Sequence, residues 1–178
     1  METVRKSALD AVAAGQVEVI STLLHSAALQ ANSPLGHEIA VEAAILNDYE
    51  IVRRLLVAGA NVNANHGELL MAAVLHDSQN VVDALLEVPA IDATLDDGSA
   101  FTFAYRLNCT DILGDLLVWH CEKHGKEATA AYASTLLQIP VSGACKGPGT
   151  VLKFIDSLTE TQVRRSGRQR KPVTRTIL

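Results

Sequence analysis

The sequence predicts an all-α solenoid of stacked helix-turn-helix units, followed by a C-terminal helical cap and a disordered basic tail. Three observations lead there. The stretch from Gly36 to Ala64, GHEIAVEAAILNDYEIVRRLLVAGANVNA, holds two short helical patterns closed by a glycine and a turn. The same order of residues recurs upstream and downstream at nearly constant spacing. Hydrophobic residues make up 48% of the 178 positions and aromatics only 4%, which suits helices packed through Ala, Leu, Val and Ile better than a sheet sandwich.

Within that stretch Ile51, Val52, Leu55 and Leu56 fall inside an arc of about 140° on a helical wheel, giving the second helix one apolar face. The first helix places the small Ala43 and Ala44 where a neighbouring helix must come close. Gly59 ends the second helix, because the residue after a C-terminus often needs a positive φ. The stretch resembles the ankyrin repeat, a unit of about 33 residues with a β-turn and two antiparallel helices. Its tail Gly59-Ala60-Asn61-Val62-Asn63-Ala64 is the most specific part of the likeness. Where the family has Thr-Pro-Leu-His, this chain has Glu38-Ile39-Ala40-Val41, and the usual inter-helix glycine is Asn47. Asparagine is among the residues most tolerant of the left-handed region, so the turn can still form.

Such a unit cannot bury its apolar face alone, and about three are needed for stability. Upstream, Ala11-Val12-Ala13-Ala14-Gly15, then Val19-Ile20 and Leu23-Leu24, follow the same order. Asn32-Ser33-Pro34-Leu35-Gly36 connects the first unit to the second with residues that break helices and fit tight turns. Asn61, Asn63, Asn65, His66 and Gly67 form the next turn, and the third unit shows Ala73-Val74, Val81-Val82 and Leu85-Leu86 before Pro89. Asp92, Thr94, Asp96, Asp97, Gly98 and Ser99 make the third and most acidic turn. The fourth unit has Ala104-Tyr105, Ile112-Leu113 and Leu116-Leu117, with Asn108 between its helices. Ala11, Ala43, Ala73 and Ala104 are 32, 30 and 31 residues apart, so the turns between units are trimmed.

The resemblance covers roughly residues 5–120, and residues 1–120 are assigned to the repeats. After Trp119 the repeat signal fades, and residues 121–162 are expected to form the cap. A helix over Lys126 to Ile139 stops before Pro140, and Ser142 to Gly149 is a loop. Thr150 caps a last helix from Val151 to about Leu158. Residues 163–178 form the tail, with too few apolar side chains to fold alone.

The formal net charge of −5 is the sum of an acidic body and a basic end. Arg164, Arg165, Arg168, Arg170, Lys171 and Arg175 stand without an acidic residue among them, leaving nine basic and 20 acidic residues in positions 1–163. Such asymmetry marks an interaction arm, for nuclear import or for weak, salt-sensitive contact with nucleic-acid phosphates. The alternatives are a solvated tail or one folded back on the acidic body. No apolar run approaches the roughly 18 residues of a membrane span, and the first residues lack an apolar segment of signal-peptide type. With Cys109, Cys121 and Cys145 unable all to pair, the expectation is a reduced, cytoplasmic or nuclear protein without membrane contact, a monomer.

No catalytic set, metal site or cofactor is expected. The Gly143 to Thr150 loop lacks the Gly-Lys directly before Ser or Thr that a phosphate loop needs. His120, Cys121 and His124, with Cys109, are one cluster of ligand types where structural zinc normally takes two tight pairs. They read instead as a helix end with surface histidines and a buried cysteine.

The resemblance implies a non-catalytic module, of adaptor or inhibitor type, that binds a protein partner. In the family, partners are gripped by turn tips and by the exposed side of each first helix, including the two residues before the inter-helix glycine. Those positions are Ala13-Ala14, Ile45-Leu46, Leu75-His76 and Arg106-Leu107, and the tips are His37 and Glu38, His66 and Glu68, then Asp97 and Ser99. The partner-binding set is therefore Glu38, Ile45, Leu46, His66, Glu68, Leu75, His76, Asp97, Arg106 and Leu107. Its apolar members either line a groove on the concave side or tilt into the core.

Overall fold

The computed structural model describes residues 2–26 and 28–136. The expected loop at 142–149, the helix after Thr150 and the basic tail lie outside the described residues, as does Cys145. Nine helices and no strand occur among the described residues: α1 (Glu2–Ala13), α2 (Val17–His25), α3 (Pro34–Ile45), α4 (Tyr49–Val57), α5 (Ala64–Leu75), α6 (Gln79–Leu86), α7 (Leu95–Arg106), α8 (Thr110–His124) and α9 (Lys126–Leu136). None is long and apolar enough to cross a membrane. The chain divides into two compact units, Met1–Leu116 and Leu117–Leu178, and the division falls inside α8.

In the first unit the helices form two rows. The first helices stack α1 on α3, α3 on α5 and α5 on α7, while α2 packs on α4 and α4 on α6. Within repeats α1 meets α2, α3 meets α4 and α5 meets α6. Ala11, Ala43, Ala73 and Ala104 of the first row are buried, as are Ile20, Ile51, Val52, Leu55, Val81, Val82, Leu85, Ile112 and Leu116 of the second helices. Burying each large aliphatic side chain contributes roughly 1.5–3 kcal/mol against leaving it in water, so this interior is what holds the stack together. Small residues in one row and branched aliphatics in the other are what the sequence pattern anticipates.

Local chemistry sets where the helices begin. Ser33 caps α3, its Oγ accepting the Gly36 N–H at 3.1 Å, and Pro34 follows in the first turn, where a missing N–H costs nothing. Asp48 caps α4 by accepting the Ile51 N–H at 3.2 Å. Regular helix in α5 and α7 starts later than their outer limits, because Asn65, His66 and Gly67 and then Asp96, Asp97 and Gly98 all have left-handed backbones. Gly36 is fixed by space instead: a Cβ there would collide with the carbonyl oxygens of Gln30 and Ala31.

In the second unit α8 continues to His124 without a break at Trp119, and Gly125, at φ 86°, separates it from α9. Thr129, Ala130 and Ala133 of α9 are buried.

Candidate protein-binding surface

Four inter-helix turns set the geometry of the candidate surface, and they are built alike. Gly15, Asn47, Asp77 and Asn108 occupy the left-handed region at φ 63°, 55°, 54° and 60°. The residue after each, Gln16, Asp48, Ser78 or Cys109, returns its N–H to the carbonyl of Ala11, Ala43, Ala73 or Ala104 at 2.8–2.9 Å. The left-handed residues donate to Val12, Ala44, Val74 and Tyr105 at 2.9–3.2 Å. This pair of bonds satisfies the last carbonyls of each first helix and ends it at the same register in every repeat. Asn47 and Asn108 therefore do the work of the inter-helix glycine, and Asp77 does so in the third repeat.

The fixed ending decides what the two preceding residues show. Leu46, Leu75 and Leu107 are 49%, 46% and 49% exposed, so they do not tilt into the core. Ile45 is half-buried, which makes Leu46 the outward member of its pair. His76 and Arg106 are exposed, and Tyr105 adds a further exposed ring at the end of α7. The structure thus brings Leu46, Leu75 and Leu107 to the C-terminal ends of α3, α5 and α7, with Leu46 and Leu107 one residue before the left-handed residue and Leu75 two before it, where His76 takes the equivalent place.

The tip residues divide into two groups. His66 and Asp97 stand exposed in left-handed turns, as expected of tips. His37 and Glu38 lie within α3 rather than in a turn, and Glu68 follows the left-handed run of α5. Glu38 is engaged by Arg5 of the preceding repeat, its oxygens accepting from Nη2 at 2.6 Å and Nε at 3.0 Å, and the guanidinium holds its carboxyl below the usual range. Glu68 accepts from Asn65 and from His37 Nε2 of the preceding repeat, both at 2.8 Å, and these bonds likewise lower its pKa. Two acidic groups read as open charges are thus ties between adjacent repeats. A basic residue one repeat length before an acid, 33 and 31 positions apart, is the signal that marks them. Asn63 ties the tips as well: its amide donates to the Ala90 carbonyl at 2.7 Å and accepts the Asp92 N–H at 3.0 Å.

The His120 cluster differs from its reading as a surface feature. His120 is buried, stacked on Tyr132 at 4.4 Å, and its Nδ1 donates to Thr129 Oγ1 at 2.8 Å. The Thr129 hydroxyl spends its one hydrogen on the Gly125 carbonyl, so Nδ1 must carry the proton. Burial, with His124 beside it, lowers the His120 pKa. Cys121 is half-buried and His124 exposed. Cys109 is half-buried, with its thiol pushed up by burial and by Asp77, which disfavours the reactive thiolate. Among the described residues no group of three or more His, Cys, Asp or Glu side chains is placed to hold a metal ion.

A family model for ankyrin repeats matches residues 8–97 as three copies, just over half of the chain. No curated protein and no solved structure matches it. Ankyrin repeats generally mediate contacts between proteins and are not catalytic modules. The matched span, the stacked helix pairs and the repeated left-handed turns agree, and the chain belongs to the ankyrin-repeat family.

Proposed function

We propose that this chain is a non-catalytic binding module, of adaptor or inhibitor type, that grips a protein partner along the first-helix row and the turn tips. The observation that carries the reading is the set Leu46, Leu75 and Leu107, about half exposed at the C-terminal ends of three stacked helices. A solvated face rarely gathers large aliphatic side chains at neighbouring helix ends, and an apolar surface of this kind gains by being covered. His66, His76, Asp97 and Arg106 supply polar contacts around it. Glu38 and Glu68 contribute through the ties that fix the repeats, and Ile45 by supporting Leu46.

The test is affinity capture from cell extract with the intact chain and with the variant Leu46→Glu, Leu75→Glu, Leu107→Glu, its helicity checked by circular dichroism. Loss of a captured protein with helicity kept supports the reading. Capture that is unchanged removes the row from consideration.

A second reading rests on the six basic residues between Arg164 and Arg175, with no acid among them. In it the tail drives nuclear import or touches nucleic-acid phosphates while the repeats recruit a protein. Deleting residues 164–178 should then move the protein out of the nucleus and abolish salt-sensitive nucleic-acid binding; unchanged behaviour refutes it.

A further inference from the structure

We infer that a cavity between the turns of the second and third repeats receives a tyrosine side chain of the protein partner. This rests on the protein-binding reading above and names the group that the partner inserts.

Small residues make the cavity. Ala31, Ala40, Ala60 and Ala64 leave about 250 Å³ unfilled between the turn before α3 and the turn before α5. Ala31, Ala40 and Leu69, at 5%, 2% and 1% exposure, form its floor, while Asn32, Asn61 and Asn65 stand exposed around its mouth. This volume is below that of a cofactor site and above the roughly 150 Å³ in which an apolar cavity holds a benzene ring. One aromatic side chain is the occupant of matching size.

Hydrogen bonding selects among aromatic side chains. Asn61 accepts the Asn63 N–H at 3.1 Å and keeps both amide hydrogens, and Asn65 gives one amide hydrogen to Glu68 and keeps its carbonyl oxygen. Among the described residues the Asn32 amide has no partner. The mouth therefore offers donors and acceptors together. A phenol hydroxyl both donates and accepts, whereas an indole only donates, and a phenylalanine ring would cover these amides without replacing their water.

Charged side chains do not fit. No Lys, Arg, Asp or Glu lines the cavity. His37 does, but its Nε2 is bonded to Glu68, which lies outside the lining. A charged group entering here would lose water without gaining a counter-ion.

The cavity is separate from the exposed leucines. A helix rises about 1.5 Å per residue, so His37 and Leu46 are about 14 Å apart along α3, at its two ends. One partner can reach both, and each can be tested alone.

The test is a titration of the full chain with N-acetyl-L-tyrosinamide, followed through backbone amide chemical shifts, beside the phenylalanine, tryptophan and arginine analogues. The result expected is saturable shifts gathered at residues 31–40 and 60–69, about tenfold weaker binding of the phenylalanine analogue, and none of the arginine one. Ala64→Leu and Ala60→Leu each fill the space and should weaken the tyrosine analogue at least tenfold at unchanged helicity; either variant that folds reads the effect. Asn32→Ala, which breaks no bond within the described chain, should weaken it about threefold. No saturable shift at these residues, binding unaltered by the filling variants, or equal or tighter binding of another analogue overturns the inference. So does a captured partner that is lost on Leu46→Glu, Leu75→Glu, Leu107→Glu yet kept on Ala64→Leu, which leaves the protein-binding reading standing.

Discussion

Replacing Asp115 by asparagine should stabilise the chain at neutral pH by about 1 kcal/mol and flatten part of its pH dependence. Asp115 is half-buried on α8, and its Oδ2 accepts from the Gln79 amide, which also donates to Asp83 Oδ1 at 2.8 Å. Burial, and then the charge of Asp83 and Asp111 nearby, pushes the carboxyl from 3.8 up to about 6. Because the folded chain holds this proton more tightly than the unfolded chain, stability falls as pH rises through the window from 3.8 to about 6, and the penalty is constant above it. Converted at about 1.36 kcal/mol per pH unit, that window sets a ceiling of about 3 kcal/mol, which screening at a partly exposed site reduces to about 1. Glu38, Glu50 and Glu68 have lowered pKa values and act oppositely, losing stability as pH falls below the usual carboxylate range. The informative quantity is therefore the difference between wild type and Asp115→Asn. Urea denaturation followed by circular dichroism at pH 4, 5, 6 and 7.5 should show the two converging at the acid end and the variant ahead at pH 7.5. Parallel curves, or a variant less stable at pH 7.5, would refute the reasoning.

Gly36→Ala should lower stability by about 3 kcal/mol in the same assay, since the added methyl meets backbone carbonyls that cannot rotate away. Phe101→Ala, at a fully buried ring in α7, should cost about 3–5 kcal/mol, and a loss below 1 would mean that α7 is not packed as described. Asn47→Val should cost about 1–2 kcal/mol because a β-branched residue resists φ near 55°, whereas Asn47→Gly should be close to neutral; thermal melts of both variants separate strain from lost contacts.

The helix pairs were legible because a buried alanine, a left-handed residue and an aliphatic second helix recur together at 43, 47 and 51–55, and again downstream. Each of those signals is local, and local chemistry carries it: Asn and Asp tolerate the conformation that glycine holds elsewhere. Contacts that cross repeats were not legible from one repeat. Glu38 and Glu68 read as open acidic tips until Arg5 and His37 were seen to reach them. Ile45 and Leu46 lie about 100° apart on a helix, and only the packing of α3 decides that Leu46 faces outward. His120 read as a surface residue because the neighbours that bury it, Thr129 and Tyr132, belong to the next helix.

The most direct measurement of the central claim is site-specific crosslinking with a photoreactive side chain in place of Leu75, and separately in place of Val57. Val57 is 80% exposed but belongs to α4, in the second-helix row. A captured partner should crosslink from position 75 and not from position 57. Crosslinking from 57 alone, or from neither position while the partner still copurifies, would contradict the claim that the first-helix row is the binding surface.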